Sequence, residues 1–145
     1  MKLIRKSAKA LRVQKAPTAI SGFDEITEGG LPRNRITLVA GSPGAGKSIL
    51  AMEFLVNGAT KFNEPGIFMS FEENVDELLS NMAAFGYKLD EQITKKKIYL
   101  EYVEIAPTEI LETGDFNLEG LFVRLDQAID RIHAKRVALD SLDAF

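Results

Sequence analysis

Gly41-Ser42-Pro43-Gly44-Ala45-Gly46-Lys47-Ser48 is the stretch that decides the fold. It matches GxxxxGK followed by Ser or Thr, the pattern of a phosphate-binding P-loop. Glycines let the backbone turn with positive φ and approach phosphate with no side chain in the way, so successive N–H groups can converge on one anion. A helix opening at Gly46 or Lys47 adds its positive N-terminal dipole. On this reading Ser42, Pro43, Gly44, Ala45 and Gly46 cradle the phosphates of ATP. Lys47 supplies a mobile cation for the β- and γ-phosphates, and Ser48 offers a hydroxyl to Mg2+, an ion that prefers oxygen ligands.

The flanks of the loop carry the context that the pattern needs. Ile36 to Ala40 (ITLVA) is a nearly continuous apolar run, as expected for a strand buried on both faces. Ser48 to Asn57 is apolar on almost every side and reads as a buried helix ending near Gly58. Gly66 to Phe71 (GIFMSF) predicts a second strand. Asn74 with Glu77 three residues on predicts a capped helix start, and Gly86 predicts its stop. Ile98 to Val103 predicts a third strand, followed by a loop through Pro107 and Gly114. Asn117 can cap a helix whose Leu118, Leu121, Phe122, Leu125, Ile129 and Ile132 repeat at helical spacing, and Val137 to Leu139 predicts a fourth, short strand. Strands alternating with helices point to an α/β fold, a mostly parallel sheet flanked by helices.

Three carboxylates fall where that fold puts ligands. Glu72 and Glu73 follow GIFMSF at once, and Asp140 ends the run Val137-Ala138-Leu139. The carboxyl edge of an open parallel sheet is where ligands bind. An ionised Glu there could orient or deprotonate the water that attacks the γ-phosphate. Two acids in the first turn of the next helix, favoured by its dipole, would look the same in sequence. Asp140 can hold the Mg2+ water shell beside Ser48, although an isolated Asp after a strand is commonly a turn residue or a cap. His133, next to Lys135 and Arg136, reads as a solvated last-turn cation or half-buried filler.

Composition sets the outer bounds. A chain of 145 residues, 46% hydrophobic, is sized for one globular domain. With no cysteine and one histidine, disulfides, thiolate metal sites and His clusters are all excluded. No apolar run is long enough to span a membrane and none follows the basic N-terminus as a signal peptide would, so a cytoplasmic protein without membrane contact is expected. Six of the 18 cations precede Pro17 with no acid among them, leaving twelve against 21 acids in the remainder. Residues 1–16 thus read as a basic arm on an acidic body, and a body of that charge argues against a surface that grips nucleic acid.

With these residues placed, the chain from Thr18 to Phe145 resembles the KaiC family within the RecA-like P-loop ATPases. ISGFDEITEGGLPRNRITLVAGSPGAGKS resembles the family's leading segment and P-loop, MSFEEN its paired catalytic glutamates, and RVALDSLDAF its Walker B strand. The resemblance implies a RecA-like fold over residues 17–145 and an ATPase that assembles as a ring, usually a hexamer, with ATP at subunit interfaces. It implies catalytic roles for Glu72, Glu73 and Lys47, a metal-site role for Asp140, and in clock members an additional domain that phosphorylates itself. A signalling, circadian or regulatory output with regulatory protein partners would follow. Ala19 and Asn34 stand where related sequences often have glycine. The chain stops just after the Walker B strand, whereas the family places another strand between that strand and the P-loop strand, so an incomplete domain is expected. A RecA-like DNA-handling ATPase and a nucleotide-dependent assembly scaffold are the competing readings.

Overall fold

The computed structural model describes residues 13–104 and 118–141. Lys2 to Arg12 of the basic arm, the Pro107–Gly114 loop and the expected cap Asn117 lie outside the described residues. The chain divides into two compact units, Met1–Ala40 and Gly41–Phe145.

The first unit is built on a short antiparallel pair, β1 (Lys15–Ala16) and β2 (Leu31–Pro32), with a one-turn helix α1 (Phe23–Ile26) between them. Lys15 is therefore part of this folded unit. Its ammonium donates to the Thr27 carbonyl at 2.8 Å, and its carbonyl accepts from Arg33 Nε at 3.0 Å. Asp24 organises the turn before α1, because its carboxylate accepts from the Thr18 and Ala19 amides and from the Thr18 hydroxyl. Ala19 and Asn34 both take positive φ, 55° and 58°, the conformation that favours glycine. Asn tolerates it well and Ala does so at a cost of about 1 kcal/mol.

Residues 36–40 correct the sequence reading, because they form no strand. A strand needs a hydrogen-bonding neighbour as well as apolar side chains. Among the described residues none pairs with this run, and Ile36, Leu38 and Val39 are exposed.

The second unit is a three-stranded parallel sheet in the order β4-β3-β5. These strands are β3 (Gly66–Ser70), β4 (Ile98–Tyr102) and β5 (Arg136–Asp140). β3 is central and buried at every position, which explains its unbroken apolar sequence. The register sets Ser70 opposite both Tyr102 and Asp140, so the three strands end level at their carboxyl edge. Helix α2 (Lys47–Lys61) covers one face together with α3 (Val75–Ala83) and α4 (Leu89–Thr94), enclosing Met52, Leu55, Phe68, Leu78, Ile98 and Leu100. Each such side chain contributes about 1.5–3 kcal/mol relative to exposure. α5 (Leu118–Ile132) covers the other face through Leu121, Ala128 and Ile132 against Met69, Phe71, Val103 and Ile67. The sheet and its two helical layers are the α/β architecture expected of a P-loop ATPase.

Two helical differences have local causes. α2 continues past Gly58 to Lys61, since a glycine inside a well-packed helix costs only about 1 kcal/mol. α4 is additional to the sequence reading; Asp90 and Glu91 stabilise its first turn and Leu89 anchors it in the core. Tyr87, just before it, packs on the same core. Burial first, then the neighbouring Glu53 carboxylate, raise its phenol above the ordinary tyrosine value. No helix among the described residues is long and apolar enough to cross a membrane.

Candidate active site

The loop before α2 has the backbone that its glycines suggest. Gly44 and Gly46 take φ of 80° and 88°, and the Ala45 amide closes a turn on the Ser42 carbonyl at 3.1 Å. Gly46 is the N-cap of α2, with no side chain capping the helix and no acid in the first turn. α3 and α4, by contrast, carry Asp76 with Glu77 and Asp90 with Glu91 there. The first amides of α2 thus face outward with the positive end of the dipole and no carboxylate of that turn to offset it. Lys47 Nζ donates to the carbonyls of Gly41, at 2.6 Å, and Ser42, at 3.3 Å, so the ammonium is folded back over the loop. Gly41 to Ala45 are exposed, while Lys47 and Ser48 are half-buried.

Asp140 reaches this region through the packing of β5 against α2. Arg136, at the start of β5, meets Phe54 and Gly58 in the second half of the helix, and Ala138 packs on the cluster that contains Leu55 and Met52. Strand and helix therefore run in opposite directions. From Gly58 back to Lys47 is about 16 Å of helix, at 1.5 Å per residue. Arg136 to Asp140 is about 13 Å of strand, at 3.3 Å per residue. Alternation puts Arg136, Ala138 and Asp140 on one face of β5, the face that α2 covers. The Asp140 end of β5 thus points toward the N-terminal end of α2, the end that carries Ser48.

Glu72 and Glu73 leave the neighbouring strand at the same edge. The Phe71 amide donates to the Asp140 carbonyl at 3.3 Å, which ties the start of their loop to the end of β5. The Glu73 amide donates to Ser70 Oγ at 3.0 Å, and Asn81 Nδ2 donates to Glu73 Oε2 at 3.2 Å. Glu73 is half-buried and Glu72 exposed. Neither lies in the first turn of α3. That helix is capped by Asn74, whose side chain accepts from the Glu77 amide while Glu77 accepts from the Asn74 amide. The reading of the pair as first-turn acids is therefore corrected, because Asp76 and Glu77 hold those positions.

His133 is exposed and closes α5 in the left-handed conformation, φ 54°, with the Ala134 amide donating to the Ile129 carbonyl. Two residues, one beside Glu73 and one at the far end of β5 from Asp140, escaped the sequence reading. Asn81 lies two helical turns beyond Glu73, a spacing that signals contact only once the helix start is known. Arg136 is buried at the head of β5, and a cation opening an apolar strand was the available signal.

The profile of a family described as "ATPase: KaiC" matches residues 16–145. Among curated relatives, the circadian clock protein KaiC2 of Synechocystis sp. is 45% identical over 137 residues, covering 94% of this chain and 24% of that protein. The circadian clock oscillator protein KaiC of Prochlorococcus marinus is 45% identical over 134 residues, 92% of this chain and 27% of the relative. That of Thermostichus vulcanus is 44% identical over 132 residues, 91% and 26%. The chain spans about a quarter of the length of these relatives. With the family profile matched over nearly its whole length, the chain belongs to the KaiC ATPase family.

Proposed function

We propose that residues 17–145 form the ATP-binding part of a KaiC-like ATPase with a circadian or other regulatory output. The reading is carried by one arrangement. An uncapped, acid-free helix start follows a loop with left-handed glycines, and Asp140, Glu72 and Glu73 leave the sheet at the edge that this helix start faces. The amides from Ser42 to Lys47 hold the phosphates, and Lys47 exchanges its two loop carbonyls for phosphate oxygens. Ser48 and Asp140, both oxygen donors, are the residues that would hold Mg2+. Mg2+, when bound, draws charge from the β- and γ-phosphate oxygens. One of Glu72 and Glu73 orients the attacking water and accepts its proton, with the other in support, as the water oxygen bonds to the γ-phosphorus and the bond to the β-phosphate oxygen breaks. Asn81 fixes the Glu73 carboxylate. In this proposal the full-length protein is cytoplasmic and assembles as a ring, a hexamer, with ATP between subunits and regulatory proteins as partners.

Phosphate release by the full-length protein, with Mg2+ or with EDTA and with or without single-stranded DNA, tests the reading. Mg2+-dependent turnover that DNA does not change is expected. Stimulation by DNA would support a DNA-handling ATPase instead, and nucleotide-dependent assembly without turnover would support a scaffold.

A further inference from the structure

Arg136 is a buried charge whose partners come from the middle of α2 and the segment after it, with Nη2 held by an ion pair and no aimed hydrogen bond. Its side chain keeps 1% of its exposure. A guanidinium so placed must be paired or it would cost several kcal/mol. Nε donates to Glu64 Oε2 at 2.7 Å, Nη2 reaches the same oxygen at 2.6 Å as an ion pair, and Nη1 donates to the Phe54 carbonyl at 2.9 Å. The guanidinium lies over the Phe54 ring, 4.4 Å from its centre, and 5.3 Å from that of Phe62. Gly58 makes the room, since a Cβ there would stand 2.5 Å from Arg136 Cδ.

We propose that Arg136 is a positioning residue, which fixes β5 lengthwise against α2 and so sets the separation of Asp140 from Ser48. The proposal rests on the reading of those two residues as the Mg2+ site. The ladder to β3 fixes β5 within the sheet, and α2 packs on β3 through apolar side chains such as Leu55 and Phe68, while Arg136 is the polar tie from β5 itself to that helix. Apolar contacts such as that of Ala138 are non-directional and resist sliding weakly. A planar fork with aimed N–H groups does not slide without losing its bonds. Arg136 and Asp140 stand at opposite ends of one face of one strand, so an error at the first appears at the second.

The test uses the full-length protein and its Arg136→Met, Arg136→Lys and Glu64→Gln variants. ATP affinity is measured in EDTA, and hydrolysis is followed as MgCl2 is varied. Arg136→Met is expected to raise the Mg2+ concentration for half-maximal hydrolysis by about tenfold, less than the roughly hundredfold that a displacement of about 1 Å caused far from the chemistry can cost. Affinity in EDTA, which reads the loop alone, stays within about twofold in a protein whose loop is intact. Lys at 136 keeps the charge but not the fork and restores part of the shift. Gln at 64 still accepts from Nε and shifts the midpoint less, in the same direction, which keeps the test open if Arg136→Met fails to fold. Variants that melt earlier but keep the parental Mg2+ midpoint would overturn the proposal, leaving Arg136 a stabilising residue only. Parental hydrolysis indifferent to Mg2+ would instead overturn the site reading beneath it.

Discussion

Replacing Glu72 and Glu73 together by Gln is expected to stop most hydrolysis while leaving the fold and ATP binding nearly unchanged. The structure separates the two effects. Both residues precede the Asn74 cap, and the first turn of α3 is served by Asp76 and Glu77. Dipole stabilisation falls off beyond the first turn, so the pair contributes to the helix no more than about 0.3 kcal/mol. Gln at 73 keeps an oxygen for the Asn81 amide, so this exposed bond is weakened from charged to neutral and not lost, a change of about 1 kcal/mol at most. The stability cost is therefore below about 1 kcal/mol. Loss of a general base slows hydrolysis about 100- to 10,000-fold, or about 3 to 5.5 kcal/mol of barrier. Phosphate release, ATP affinity and the thermal transition, measured on the same full-length preparation, give the answer. Hydrolysis at the parental rate would refute the assignment, and so would a slowing matched by lost stability.

Asn74→Ala removes the acceptor for the Glu77 amide and should lower stability by about 1 kcal/mol, read from the thermal or urea transition, with a far smaller effect on turnover than the glutamate pair. An unchanged transition would mean that the capping box contributes nothing. His133→Gly relieves a left-handed, exposed position at the end of α5 and should raise stability by about 1 kcal/mol. A lower melting temperature in that variant would show that the imidazole has a structural contact.

What sequence could and could not reveal follows from how local each cause is. β3 was legible because a central parallel strand is apolar at every position. The α3 start was legible because the capping box lies within four residues. The P-loop was legible because its glycines are required by backbone geometry within the loop itself. Ile36 to Ala40 looked like a strand, and the error is physical: apolar composition is local, but pairing is not. The burial of Arg136 was not legible because its partners, Phe54 and Glu64, lie 82 and 72 residues earlier in the chain. The positive φ of Ala19 could be anticipated from resemblance alone, whereas the Asp24 bonds that hold it depend on the fold of the turn.

The claim that ATP sits with its phosphates on the Gly41–Ser48 loop is tested most directly by the nucleotide affinity of Lys47→Ala. Calorimetry on the full-length protein with Mg2+ and a poorly hydrolysed ATP analogue isolates binding from turnover. Lys47 Nζ already reaches the Gly41 and Ser42 carbonyls, so the ammonium is tethered beside the loop amides, and Ala at 47 leaves those amides in place. A hydrogen bond to a charged group contributes about 1.5–3 kcal/mol, so affinity should fall about 10- to 100-fold. Parental affinity in Lys47→Ala would contradict the account and move the phosphate site elsewhere.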